Sequence, residues 1–267
     1  MTDSQPRPPR FGEQDRELSY GSYLKVPELL ALQQLLSKPA AHDELLFITV
    51  HQVYELWFKQ LLFELECVRD LMIEGDAHQA KHLLERAHSI ERVMAAQIPV
   101  IETMSPQDFL EFRQHLAPAS GFQSVQFREV EFLSGLKDER YVDRLVLTAE
   151  EEERLRARLD GPSLWDGFCR LLETRGLSMP VDDEEGRRAS LLNVARDRRR
   201  YPEEFYLSEA LLTHDELFSV WRQHHVLMVE RQIGSKTGTG GSTGAGYLRK
   251  TLTKRFFPEL WDLRSYL

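Results

Sequence analysis

The apolar pattern is longest and least interrupted between Asp43 and Glu74, a stretch without Pro or Gly. It predicts one long helix, stopped by Gly75, and its apolar content on all sides predicts that most of it is buried. Asp76 starts a second helix. There Leu83, Ala87, Ile90, Met94, Ile98 and Ile101 recur at spacings of three and four, the amphipathic helical period. Pro99 should kink or end that helix near its last turn. Ser105-Pro106 opens the next one, with Ser as N-cap and Pro at the first helical position. Thr148 with Glu151, and Thr213 with Glu216, have the spacing of capping boxes, so helices are expected to begin at both. Tyr141 to Leu147 is the only stretch with weak strand-like alternation. No internal repeat is visible. The pattern predicts an all-α fold, with residues 1–16 as a loosely attached or disordered arm and residues 17–267 as a single helical domain.

Bulk numbers narrow the classes. The chain has 267 residues, 42% hydrophobic and 29% charged, which is ordinary globular composition. A net charge of −9 argues against general affinity for nucleic acid or an anionic membrane. It leaves room for a local basic pocket. Cys67 and Cys169 are too far apart for a metal spacing and too few for a disulfide framework. Met1 to Gln14 is polar and Pro-rich, without the apolar stretch of a signal peptide, and no run is long enough to span a bilayer. A soluble, cytoplasmic protein is expected. The charged stretch from Val181 to Tyr201 interleaves acids with arginines and lacks nearby aromatics, which favours a solvated helix-turn-helix excursion over a nucleic-acid patch.

Four clusters could carry chemistry. Phe47 and His51 lie one helical turn apart inside the long apolar helix, where they could line a dry pocket. Phe109 and Arg113 repeat that spacing. An Arg beside an aromatic can clamp a carboxylate while the ring packs on an apolar body, though Arg113 could equally sit in a surface pair. Downstream, Leu217, Trp221, His225 and Met228 share one helix face, and Leu217, Val220, His224 and Leu227 an overlapping one. Either histidine could face the interior, and a buried neutral imidazole can hold a haem iron. Periodicity does not choose between His224 and His225. Near the N-terminus, Tyr20, Tyr23 and Leu24 could anchor the arm or reach another subunit.

The segment Ile233 to Gly246 invites motif readings that fail. Lys236-Thr237 lacks the glycines of a phosphate loop, and Gly240 to Gly244 lacks the strand that a nucleophile elbow needs. A flexible linker remains, or a loop whose bare N–H groups and Thr hydroxyls close over an anion. His78, His82 and His88 read as surface histidines. His42, His115 and His214 are expected at helix ends or turns without a special role.

Taken together, these strings resemble the tryptophan 2,3-dioxygenase family and occur in its order. They are Tyr20-Gly-x-Tyr23-Leu24, His51-Gln-x-Tyr-Glu-Leu-Trp-Phe-Lys-Gln60, Phe109-x-x-Phe-Arg113, Ser120-Gly-Phe-Gln-Ser124, Trp221-Arg222-x-x-His225 and Gly238-Thr-Gly-Gly-Ser-x-Gly244. Each is weak alone, but six in order along one chain are specific. The resemblance implies a homotetramer of helical subunits with haem b bound between helices. It implies insertion of O2 across the indole C2–C3 bond of L-tryptophan to give N-formyl-L-kynurenine, the first step of the kynurenine pathway. The rival is a haem enzyme of the same fold that hydroxylates a related indole or aromatic amino acid. Carried over by position, His225 would ligate iron. His51 would face the substrate and accept a hydrogen bond from the indole N–H. Phe47 and Phe109 would flank the ring, Arg113 would clamp the carboxylate, and Thr239 would bond the carboxylate and ammonium. Ser120 and Gly121 would lie against the haem edge. Tyr20, Tyr23 and Leu24 would enter a neighbouring subunit's pocket. Phe109 is a tyrosine in some relatives, a change that removes a hydrogen-bond donor but keeps the apolar wall.

Overall fold

The computed structural model describes residues 18–240 and 244–267. The expected arm over residues 1–16 and the loop residues Gly241, Ser242 and Thr243 lie outside them. Two short helices come first, α1 (Tyr20–Tyr23) and α2 (Val26–Leu29). They precede the long α3 (Glu44–Glu74) and then α4 (Ala77–Ala96). α5 (Ile98–Ile101) and α6 (Pro106–Leu116) lead to a 3-10 turn at Gly121–Gln123 and to α7 (Val125–Leu133). α8 (Arg140–Arg144), α9 (Ala149–Asp160), α10 (Leu164–Thr174) and α11 (Glu184–Arg196) follow. The second long helix, α12 (Pro202–Ile233), is trailed by α13 (Ala245–Arg249) and α14 (Pro258–Asp262). No strand occurs among the described residues, as the all-α expectation required.

Most starts and stops follow local chemistry. Gly75 ends α3 at φ 90°, a left-handed C-cap that glycine adopts without a Cβ penalty. Asp76 caps α4 through its side chain on the Gln79 N–H. Ser105 and Asp108 form a reciprocal capping box ahead of Pro106, and Thr148 with Glu151 does the same for α9. The helix before Pro99 ends at Ala96 and restarts as α5 with Pro99 in its first turn.

Four expectations change. Thr213 caps nothing, because α12 runs unbroken from Pro202, and the Thr213 hydroxyl donates to the Glu209 carbonyl one turn back. Tyr141 to Leu147 is a short helix followed by an irregular stretch, with Tyr141 and Val142 buried. Its alternation reflected one turn of helix with an apolar side. His88 is buried, its Nε2–H donating to the Ala210 carbonyl at 3.0 Å. His214 is wholly buried mid-helix, between the Ser134 hydroxyl at 2.8 Å and Glu91 at 2.5 Å. Both were read by neighbours in sequence, whereas contacts more than a hundred residues apart put them inside.

α3, α4 and α12 pack on one another, with α10 and α7 added to α3. Leu61, Leu65, Val68 and Met72 of α3 meet Leu84 and Ala87 of α4, Phe168 and Leu171 of α10, and Leu207, Leu211 and Phe218 of α12. α3 is nonetheless buried on one face only. Leu45, Leu56 and Phe63 form an exposed second stripe, and nine of the 31 residues are buried, which corrects the expectation of a mostly buried helix. A smaller apolar cluster of Val50, Ile101, Met104, Phe109 and Phe112 fills the N-terminal end of α3. Between the two clusters the helices diverge around a cavity.

Candidate active site

The cavity, about 270 Å³, is walled by α3, α6, α7, α12, α13 and the loops at Ser120 and Gly238. Phe47 and His51 face it from α3, Phe109 and Arg113 from α6, and Trp221, His225 and Met228 from α12. Ser120, Gly121 and Thr239 line it from the two loops. The sequence separates these residues by up to about two hundred positions; the long helices bring them together.

His51 stacks on Phe47, ring centroids 4.1 Å apart, and its Nδ1 lies 2.7 Å from the Phe47 carbonyl oxygen. A carbonyl only accepts, so Nδ1 carries the proton and Nε2 of the neutral ring keeps a lone pair. His51 is exposed to the open cavity, yet desolvation by the surrounding protein lowers its pKa from 6.5, against the opposing pull of the Phe47 carbonyl and Glu55. Phe47 also stacks on Phe109 at 5.7 Å and 27°. The two rings therefore touch and make one continuous apolar wall beside His51.

His225 is the histidine that faces inward. It lines the cavity while His224, one residue earlier, is exposed with Val220 and Leu227. Its ring lies parallel to Trp221, 5.1 Å between centroids and 7° between planes. Trp221 Nε1 donates to the Tyr54 hydroxyl at 3.4 Å, which donates to the Met94 carbonyl at 2.7 Å. The His225 imidazole makes no hydrogen bond among the described residues. Burial first, and His51 second, push its pKa down to about 4. A neutral ring whose one nitrogen lone pair has no hydrogen-bond partner, facing a largely apolar cavity, fits an iron of haem. Among the described residues no group of three or more His, Cys, Asp or Glu could hold a bare metal ion. A single imidazole suits a metal that brings its own ligand set.

Arg113, in the last turn of α6, donates through Nη2 to the Thr237 carbonyl. Thr239 donates to the Ala119 carbonyl at 2.6 Å, and so docks the glycine-rich loop on the turn that Ser120 caps. A Cβ at Gly240 would stand 2.6 Å from the Ser120 Cβ, and Gly244 sits at φ 58° with a Cβ position 2.6 Å from the Lys236 carbonyl. The described residues of this loop are packed on their neighbours at Thr239, Gly240 and Gly244, which argues against a free linker there. Tyr20, Tyr23 and Leu24 do not line the cavity and are 80%, 71% and 45% exposed.

Sequence reasoning left Tyr54, Arg128, Glu131 and Tyr247 without a role, yet all four line the cavity. The available signal was the Arg128-x-x-Glu131 pair inside the apolar run Val125 to Leu133, a charged pair that a buried helix keeps only with partners.

The family model described as Tryptophan 2,3-dioxygenase matches residues 9–166 and 182–267. The chain is 58% identical over 262 residues to the tryptophan 2,3-dioxygenase of a Nocardioides species, covering 96% of this chain and 97% of that protein. It is 45% identical over 259 residues to that of Herpetosiphon aurantiacus, covering 94% and 98%. With that of Caulobacter vibrioides it is 41% identical over 264 residues, covering 94% and 99%.

Proposed function

The chain belongs to the tryptophan 2,3-dioxygenase family, and from this premise and the cavity we propose that it oxidises L-tryptophan with O2 to N-formyl-L-kynurenine, using haem b held by His225. The observation that carries the reading is the pair of imidazoles facing one largely apolar cavity from different helices. Among the described residues one makes no hydrogen bond, and the other is tied at Nδ1 with Nε2 open.

Haem bound at His225, ferrous in the working state, supplies the iron at which dioxygen becomes reactive. The protein's own residues position and exclude water. Arg113 offers a guanidinium fork to the amino acid's carboxylate, with the Thr239 hydroxyl beside it. Phe47 and Phe109 offer the indole an apolar wall. His51 Nε2 accepts the indole N–H, which fixes the ring's orientation over the reacting centre. An indole N–H is far too weak an acid for a neutral imidazole to remove, so His51 orients and does not act as an essential base. Ser120 and Gly121, which line the cavity, would lie against the edge of the bound cofactor. The C2–C3 bond breaks, and each carbon keeps one oxygen atom of the O2. Four copies assemble, with Tyr20, Tyr23 and Leu24 of one closing the cavity of a neighbour. The protein works in the reducing cytoplasm, consistent with free Cys67 and Cys169.

The test is direct. Reduced, haem-loaded protein given O2 and L-tryptophan should develop the absorbance of N-formylkynurenine. A hydroxylated indole in its place would assign the chain to the rival chemistry, and a protein that takes up no haem would sink both.

A further inference from the structure

A second charged cluster lines the cavity, and the roles above do not use it. Arg128 on α7 is 5% exposed, Glu131 one turn on is 1%, and Arg222 on α12 is 3%. Arg128 Nη1 donates to Glu131 Oε2 at 2.5 Å and Arg222 Nη2 to Glu131 Oε1 at 2.9 Å. Glu131 is the one carboxylate bonded to either guanidinium among the described residues. Two buried positive charges therefore share one negative charge. Lys254 adds a third cation nearby, its Nζ 3.3 Å from the Tyr141 hydroxyl, which in turn meets the Tyr247 hydroxyl at 2.8 Å. An excess of buried positive charge is costly unless an anion joins it, and this chain is acidic overall.

Arg128 is aimed and held. Its guanidinium carbon sits over three rings, Phe122 at 5.1 Å, Phe127 at 5.0 Å and Tyr141 at 4.1 Å. Of its nitrogens only Nη1 has a hydrogen-bond partner; Nη2 has none among the described residues, and Nε is sealed away without one. Arg113 differs, because it is half-buried and bonds a loop carbonyl. A pinned, pre-organised cation suits a resident anion, whereas one beside a loop suits an anion that comes and goes. Arg222 is three residues before His225 on α12, so the cluster and the imidazole open on the same cavity.

We propose that Arg128, braced by Glu131 and Arg222 and bordered by the Tyr247 hydroxyl, receives a carboxylate side chain of the haem, leaving Arg113 for the carboxylate of the amino acid. This rests on the haem reading above. A porphyrin acid and a substrate acid share the same chemistry, so the test separates them. Purified holoprotein is mixed with excess apomyoglobin, and haem transfer is followed in the Soret band, for haem b and for its dimethyl ester. The wild type should hold haem b at least about tenfold longer than the ester, the scale of one charge-assisted hydrogen bond. Arg128→Met should release haem b about as fast as the wild type releases the ester, with little change in the KM for tryptophan. Equal retention of the two haems by the wild type would overturn the proposal, and that comparison needs no variant to fold. A raised KM with unchanged haem loss in Arg128→Met would also overturn it, by giving Arg128 to the substrate. A wild type showing no Soret band at all would instead remove the haem reading beneath it.

Discussion

At the scale of single residues, the site turns on which nitrogen is free and which way a ring points. His225→Ala should abolish haem retention, measured as the Soret band after gel filtration, while the exposed His224→Ala keeps it. The reverse result would mean that the helix face is misassigned. Removing the His51 ring should leave haem bound and lower kcat/KM by roughly 10–100-fold, the cost of one orienting hydrogen bond of 1.5–3 kcal/mol. A complete loss of turnover would make His51 a base after all. Arg113→Ala should raise the tryptophan KM by about 100-fold through loss of a charge-assisted contact of roughly 3 kcal/mol. Unchanged saturation would refute the clamp. The Phe47–His51 and Phe109–Arg113 spacings were legible as helical turns. The inward choice of His225 was legible through the family resemblance but not through periodicity, because two overlapping faces of α12 are equally apolar and only the Trp221 stack and the cavity separate them. His88 and His214 were misread for the same reason, since nothing local distinguishes a core histidine from a surface one.

At the scale of elements, α12 is a spine along which the molecule is fastened. Besides Trp221, Arg222 and His225 it carries Asp215, whose Oδ2 accepts from the backbone N–H groups of Phe256 and Phe257, at 2.8 and 3.1 Å, and from Trp261 Nε1 at 2.9 Å. Asp215→Ala strands three buried donors and should cost about 3 kcal/mol or more in urea melts; a change under 1 kcal/mol would show that the C-terminal segment docks by other means. The two threonines read alike in sequence should part company. Thr148→Ala removes a working cap and should cost about 1 kcal/mol, whereas Thr213→Ala, mid-helix, should cost only a few tenths. The ends of α3, α4 and α6 and the start of α9 were readable because caps, Pro99 and Gly75 act locally. The merger of α12 across Thr213 was not, since a capping-box spacing also occurs inside helices, where the hydroxyl turns to the preceding carbonyl.

For the whole molecule, stability and assembly depend on groups far from one another. His88 has a pKa of about 4 in the fold, first because of burial and then because of nearby His214, against 6.5 when unfolded. As pH falls from 6.5 the unfolded chain binds the proton first, so stability is lost progressively down to about pH 4. The full effect is about 3 kcal/mol. His88→Gln, whose amide can still donate to the Ala210 carbonyl, should flatten that part of the stability–pH curve; an unchanged slope would place the titration elsewhere. Exposed Tyr20, Tyr23 and Leu24 make a prediction for the assembly. Tyr20→Ala/Tyr23→Ala chains and His225→Ala chains, each inactive alone, should regain activity when co-assembled, because an intact pocket then forms between unlike subunits. No recovery in mixtures of the two variants would confine the site to one chain.

The sequence by itself determined the helical class, the ends of α3, α4 and α6 and the set of residue types at the site, because period, caps and side-chain chemistry are local properties. The tertiary structure alone decided how much of α3 is covered, that His88 and His214 lie in the core, and that Arg128, Glu131 and Arg222 share the cavity with His225. Those outcomes depend on which faces meet when α3, α6, α7 and α12 pack. That packing is settled by contacts between residues roughly a hundred positions apart, which no window of sequence contains.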